Sequence, residues 1–276
     1  TTKIESKLTH HLLSLCPAEA DRATTTHPFI TFINRGTIHP DRLEAWLAQD
    51  RHYILRGYLP LMGSMLSKVP LPPTGVGHHL GPNADESGRY MRTVEVMGDA
   101  ISNAIREAKF VEKTAADAGF DLSVGPPRPS TKPDGTQQQQ GTTALSFHPL
   151  APETDAYLNY MSRVAHTGTF LEQLTLLWAM EILYYRAWSQ AASNRAKSTS
   201  TSFTQSQSEA LTLLINNWSA AEFASFVEIL GDLLDGYGGS GDITRLDSDM
   251  LARVQGVWRQ VVNLEKGFWE AGRGTM

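Results

Sequence analysis

The run Trp178-Ala-Met-Glu181-Ile-Leu-Tyr184-Tyr185-Arg-Ala-Trp188 decides how the rest of the chain is read. It reads as a buried helix, with one feature out of place. Glu181, Tyr184, Tyr185 and Trp188 stand at i, i+3, i+4 and i+7, so a helix puts them on one face. A buried carboxylate is costly unless something pairs with it. Either Glu181 reaches a Lys, an Arg or water from a structural helix, or an aromatic wall with one acid forms a pocket for a flat, nitrogen-containing ring.

The helical period continues on both sides of this run. Residues 3–16 predict an opening helix with Ile4, Leu8, Leu12 and Leu15 on one stripe. Residues 41–67 predict a second, in which Leu43, Trp46, Leu47, Asp50, Tyr53 and Ile54 recur at helical spacing. Residues 87–118 form a third helical region, with a break expected near Gly98. Residues 152–189 predict two helices parted near Thr167-Gly168-Thr169, and 206–217, 219–237 and 247–271 complete the set. Ser219 with Glu222 three residues on reads as a capping box, and Pro40-Asp41 and Ala151-Pro152 mark further helix starts. Runs of alternating Val, Ile and Thr bounded by tight turns are absent, so the fold class is all-α.

Two segments break the pattern. Residues 121–150 contain Gly125-Pro126-Pro127-Arg-Pro129, Lys132-Pro133-Asp-Gly and Gln137 to Gln140, and residues 190–207 are rich in Ser, Ala, Thr and Gln. The apolar stripes flanking each belong to one helical array. Both therefore read as loop insertions in a single domain spanning residues 1–276.

Composition narrows the function classes. With 41% hydrophobic and 9% aromatic residues, the chain can bury a substantial core. A net charge of −5, from 24 basic and 29 acidic residues, and the lack of a dense Lys/Arg cluster argue against nucleic acid or an anionic membrane as the main partner. Cys16 is the single cysteine, which excludes an intrachain disulfide and a Cys-based metal cluster. Followed by Pro17, it reads as an ordinary partly buried thiol. No stretch approaches the roughly 20 apolar residues of a membrane helix, and the N-terminus has no apolar core, so a soluble cytoplasmic protein is expected. The histidines include the adjacent pairs His10/His11 and His78/His79, but no H-E-x-x-H or similar ligand spacing occurs. No metal or cofactor is expected. His10 or His11 as a heme ligand is the weaker alternative to surface histidines.

Four groups of residues could carry chemistry. Trp46, Gln49, Asp50 and Tyr53 share a helix face, where Asp50 could accept bonds from an exocyclic amine and an adjacent ring N–H, or pair with Arg51, Arg56 or a distant Arg. Tyr157 and Tyr160 form a weaker pair on the next helix but one. Glu181 lies in the opening run. Glu265 shares a face with Trp258, Phe268 and Trp269. Carboxylates on separate helices, each framed by aromatics, suit proton transfer to a heteroaromatic ring if the helices converge, because burial raises the pKa of a Glu toward neutrality.

Taken in order, these groups resemble the TenA (thiaminase II-like) family. The matching segments are His27-Pro28-Phe29, Gly36-Thr37, Gln49-Asp50-Arg-His-Tyr53, Ala156-Tyr157-x-x-Tyr160-Met161 and Glu265-x-x-Phe268-Trp269. They span about residues 20 to 271. The resemblance implies the heme-oxygenase-like all-α fold and cleavage of the exocyclic C–N bond on 4-amino-2-methylpyrimidine, in thiamin breakdown and salvage. It implies that Asp50 binds the pyrimidine's amino group and ring nitrogen. Glu265 would be the acid/base at the other ring nitrogen. Tyr53 and Trp218 would line the ring, with Tyr157 and Tyr184 near the reacting carbon. A homo-oligomer, with a dimer favoured, is expected as well.

One position departs from the bacterial pattern. Those enzymes carry a nucleophilic Cys four residues before the Tyr matching Tyr184, and Met180 stands there in this chain. Met cannot supply a thiolate. The segment W-A-x-E-x-x-Y, with Glu181, looks instead like the Cys-lacking, largely eukaryotic branch. That implies hydrolysis of aminomethyl- or formylaminomethyl-pyrimidines, with Glu181 as the general base for water. The competing readings are a TenA-like protein that binds a ligand or a protein without catalysis, and a heme or quinone redox member of the same fold.

Overall fold

The computed structural model describes residues 7–72, 84–122, 150–194 and 203–271, with only the backbone of 84–87. Helices α1 (Leu8–Ser14), α2 (Pro17–Thr24), α3 (Pro28–Asn34) and α4 (Pro40–His52) come first. A π-helical turn, Tyr53–Tyr58, then leads into α5 (Leu59–Lys68) and the long α6 (Ala84–Asp117). Next come α7 (Pro152–Thr167), α8 (Phe170–Asn194), α9 (Gln205–Trp218) and α10 (Ala221–Tyr237), and a 3₁₀ turn (Ile243–Arg245) precedes α11 (Ser248–Glu270). The architecture is an all-α bundle, with no strand among the described residues.

The opening run of the sequence lies in the middle of α8. That helix is apolar nearly all round, from Phe170 to Ala191, and such a helix has to be wrapped on every side. It packs against α2, α3, α9, α10 and α11, so its polar residues are the ones that need explanation. One hydrophobic cluster joins Leu8 of α1 to Trp269 of α11.

Helix starts follow local chemistry. Pro opens α2, α3, α4 and α7, where its missing N–H is no loss. His27 Nδ1 accepts from the Phe29 N–H at 3.2 Å, His39 Nδ1 from the Asp41 N–H at 3.3 Å, and Asp247 Oδ1 from the Met250 N–H at 2.9 Å. The Lys68 ammonium donates to the carbonyls of Ala165 and Gly168 at 2.8 and 2.9 Å, closing the C-terminus of α7.

Several expectations need correction. The opening helix ends at Ser14: Leu15 is extended, Cys16 is left-handed at φ 41°, and Pro17 begins a separate helix. Residues 1–6 lie outside the described residues. Helix α3 had no counterpart in the periodicity, its seven residues being too few to show one. The break expected at Gly98 does not occur. A Gly costs a helix about 1 kcal/mol, and the buried stripe Met97, Ala100, Ala104, Ala108, Val111 and Ala115 outweighs that. The capping box is formed by Thr204 and Gln207. Ser219 instead donates to the Ile215 carbonyl at 2.7 Å, and Ala220 is the N-cap of α10. Of the two insertions, 190–194 continue α8, while 123–149 and 195–202 lie outside the described residues. His78 and His79 lie there too.

Gly57, within the π turn, lets this segment close on α7. A Cβ there would sit 2.6 Å from Leu158 Cδ2 and 2.7 Å from Met161 Cε. Gly57→Val is expected to destabilise the fold by about 3 kcal/mol, read as a lower midpoint in urea unfolding. An unchanged midpoint would mean that the contact is loose.

Candidate active site

Asp50 lies on the buried face of α4, and the chain departs from α-geometry three residues later. The Leu59 N–H bonds the Ile54 carbonyl, five residues back, which defines the π turn. This wider turn brings the rings of Tyr53 and Tyr58, five positions apart, to 6.4 Å. Single π turns recur at functional sites. Opposite stand Met180, Glu181 and Tyr184 of α8, Ala104 and Glu107 of α6, and Phe223 of α10. Together they enclose a chamber of about 40 Å³. Tyr58, Ala104, Glu107, Glu181 and Phe223 also border an outer vestibule of about 490 Å³, which reaches Trp218 and Phe226.

The candidate residues fall into three groups. Asp50, Tyr53, Glu181 and Tyr184 line the chamber. Trp218 lines the vestibule, and its Nε1 donates to Glu107 Oε1. Tyr157 and Glu265 line neither. They form a buried pair beside Tyr53: the Tyr157 hydroxyl donates to Glu265 Oε2 at 3.0 Å, and the Tyr157 ring lies 5.2 Å from that of Tyr53. Tyr185, expected on the Glu181 face, packs instead against Phe223 at 5.8 Å and borders a separate surface groove. Trp258 pairs with Trp178 at 5.5 Å, away from Phe268 and Trp269. Of the histidines weighed for heme, His10 is exposed and His11 Nε2 lies 2.8 Å from Gln255 Nε2. Cys16 is half-buried, with its thiol pushed up by burial.

Electrostatics set this site apart from an ordinary core. Burial raises Glu181 to about 8; a hydrogen bond from Tyr58 opposes the shift, and the charges of Glu107 and Glu265 add to it. Burial likewise raises Glu265 to about 8, against the hydrogen bond from Tyr157. Asp50 goes well above the usual range, through burial and then the charges of Glu107 and Glu265. Glu107 is raised by burial. The plainer readings put a basic partner beside Asp50 and Glu181. Among the described residues none forms such an ion pair, and Arg51 turns to Glu112 at 2.7 Å. Asp50 Oδ2, Glu265 Oε1 and the Tyr184 hydroxyl are buried without a hydrogen-bond partner. Groups in that condition are expensive unless a bound molecule complements them.

Behind the chamber, Trp46 sits among Phe29, Tyr184, Trp188, Trp218, Phe268 and Trp269, all with ring centroids within 5.2 to 6.4 Å of its own. Other matched motifs are structural. Gln49 Oε1 accepts from the Ala151 N–H at 2.9 Å and so fixes the start of α7. His27 Nε2 meets Glu270 Oε1 at 3.0 Å, tying α3 to the end of α11. Gly36, at φ 62°, supplies the left-handed turn after α3.

Glu107 and Tyr58 escaped the sequence reading. Glu107 lies three residues after Ala104 and four before Val111, on the face of α6 that carries the small buried residues. An acid on such a stripe is the same signal that singled out Glu181.

Among solved structures, a TenA homologue from Pyrococcus furiosus superposes with a TM-score of 0.70 at 20% identity, covering 96% of this chain and 99% of that one. The chain has the TenA fold. A TenA homologue from Pseudomonas syringae pv. tomato gives a TM-score of 0.67 at 11% identity, over 97% of this chain and 93% of that one. A TenA family transcription regulator from Silicibacter gives 0.63 at 16% identity, over the whole of both chains. No family model matches the sequence. A curated relative, a probable transcription factor from Fusarium pseudograminearum, is 29% identical over 167 residues, or 60% of this chain. The chain spans 27% of that relative's length. Within this TenA fold Met180 lines the chamber, one position from Glu181. No described helix is long and apolar enough to cross a membrane.

Proposed function

We propose that this chain is a hydrolase that cleaves the exocyclic C–N bond of an aminomethyl- or formylaminomethyl-substituted 4-aminopyrimidine in thiamin-pyrimidine salvage. One observation carries the reading: two carboxylates without cationic partners, Asp50 and Glu181, line a single aromatic-walled chamber. Asp50 would bind the amino group and ring nitrogen, between Tyr53 and Tyr184. Glu181 would take a proton from water as its oxygen bonds to the methylene carbon. The C–N electron pair leaves with the nitrogen, which takes the water proton from Glu181, and the hydroxymethyl pyrimidine remains once its ring has returned the borrowed proton to Glu265. Glu265 would act as the acid, its proton reaching the ring through the hydrogen-bonded hydroxyls of Tyr157 and Tyr53. The chamber alone has room for roughly three waters, so the substituent would extend past Tyr58 and Phe223 into the vestibule. We extend the proposal to a single domain over residues 1–276 and a homodimer in the cytoplasm.

The deciding test is ammonia or formamide release from purified protein given each substrate. Release supports the hydrolase; none from either favours the second reading, a TenA-like ligand sensor. That reading draws on Met180 in the thiolate position, and on the regulator and transcription-factor descriptions of two similar proteins.

The pH dependence follows from the two glutamates. The base must be ionised and the acid protonated, and burial holds both near 8. Because they interact, their pKa values belong to the pair. The kcat/KM profile is expected to be a narrow bell, rising as pH climbs toward 8 and falling beyond it. A profile flat from pH 6 to 10 would remove both groups from the rate-determining proton transfers.

A further inference from the structure

Glu107 is the chamber acid that the mechanism above leaves idle. It borders both the chamber and the vestibule, as Tyr58, Glu181 and Phe223 do. The Trp218 Nε1–H donated to its Oε1 fixes the carboxylate at that threshold. A negative group so near Asp50 and Glu181 is costly unless a positive one meets it. Among the described residues no Lys, Arg or His forms an ion pair with Asp50, Glu107, Glu181 or Glu265. Nor do three or more described acids, His or Cys converge where one metal ion could sit. Asp50, 2% exposed, has its Oδ2 without a hydrogen-bond partner in the same chamber. Aromatic walls from Tyr58, Tyr184 and Phe223 add surfaces that attract an organic cation.

We infer that Glu107 is a specificity-determining residue: it holds the protonated exocyclic amine of an aminomethyl-substituted pyrimidine, and so favours that group over a neutral formamide or alcohol on the same carbon. The inference rests on the proposed reading of this site as a pyrimidine hydrolase. The reaction is then R–CH2–NH3⁺ + H2O → R–CH2–OH + NH4⁺. Water oxygen bonds to carbon, the C–N electron pair departs on nitrogen, and the proton shed by water passes to Glu181 and on to ammonia. A bound cation between Glu107 and Glu181 also favours the ionised form of Glu181 that this step requires.

Calorimetric titration at pH 7 with 4-amino-5-aminomethyl-2-methylpyrimidine and with its hydroxymethyl analogue tests the assignment. The wild type is expected to bind the amine at least tenfold more tightly than the alcohol. Glu107→Gln should erase most of that preference while leaving the alcohol's affinity unchanged, because it removes one charge-assisted bond. Glu107→Asp, which keeps the charge, should retain the preference, and it supplies the answer if the Gln variant does not fold. Equal affinities in the wild type, equal weakening of both probes in Glu107→Gln, or loss of the preference in Glu107→Asp would overturn the inference. Ammonia release is scored separately. Amine preference without turnover sinks the hydrolase and spares Glu107, whereas turnover with a preference indifferent to Glu107 does the reverse.

Discussion

Glu181→Gln should lower kcat by about 10²–10⁴-fold, the range typical of a lost general base, while the hydroxymethyl pyrimidine binds as before. The amide is nearly isosteric, keeps an oxygen for the Tyr58 hydroxyl and leaves the chamber wall in place. It cannot accept the proton of the attacking water. Glu181 as a structural residue gives the opposite pattern, with reduced stability and unchanged kcat per folded molecule. Single-turnover rates on folded protein, set beside the melting temperature, separate the two. Full activity in the variant would take Glu181 out of the mechanism.

Glu265→Gln should make the protein more stable at pH 9, by on the order of a few kcal/mol, and change little at pH 5. The sign follows from the raised folded-state pKa, about 8 against an ordinary 4.5. Between those values the folded state holds a proton that the unfolded chain has released. The stability tied to that proton is fully present below 4.5 and is lost as pH rises through 8. A glutamine carries no proton to lose, and its carbonyl can still accept from Tyr157. Urea unfolding of both proteins at pH 5, 7 and 9 checks this. Equal destabilisation of the variant at all three would mark Glu265 as a well-paired structural acid. The expected result places maximal activity on the falling limb of the stability curve, because ionisable buried acids serve catalysis and cost the fold.

The sequence read best where burial and period coincide. The apolar face of α8 announced both the helix and the odd position of Glu181, and the all-α class followed from the same period. What stayed hidden depends on contacts between elements. The small buried stripe beside Glu107 marked its face of α6 as inward, but nothing local says that Glu181 will stand across the same chamber. Tyr185 and Trp258 shared a helical face with site residues on paper, yet neighbouring helices claimed them for other packing. Ser219 satisfied a capping pattern, but α9 used its hydroxyl first. Gln49 looked like a site residue because it shares a helix face with Asp50, and His27 stood in a matched motif, whereas the bonds of both hold helix ends.

The π turn at Tyr53–Tyr58 makes this chamber a matter of residue count as much as of residue type. A π turn takes in one residue beyond the α-helical pattern, and each residue of an α-helix advances the chain by about 100°. Removing Leu55, Arg56 or Gly57 would let residues 41–67 relax into the continuous helix that their periodicity predicts, with every chamber-lining side chain kept. The half bearing Asp50 would then be turned by roughly that angle against the half anchored on α7, and Tyr58 would no longer meet Glu181. A length change of a single residue could thus separate a working chamber from an inert bundle of the same shape.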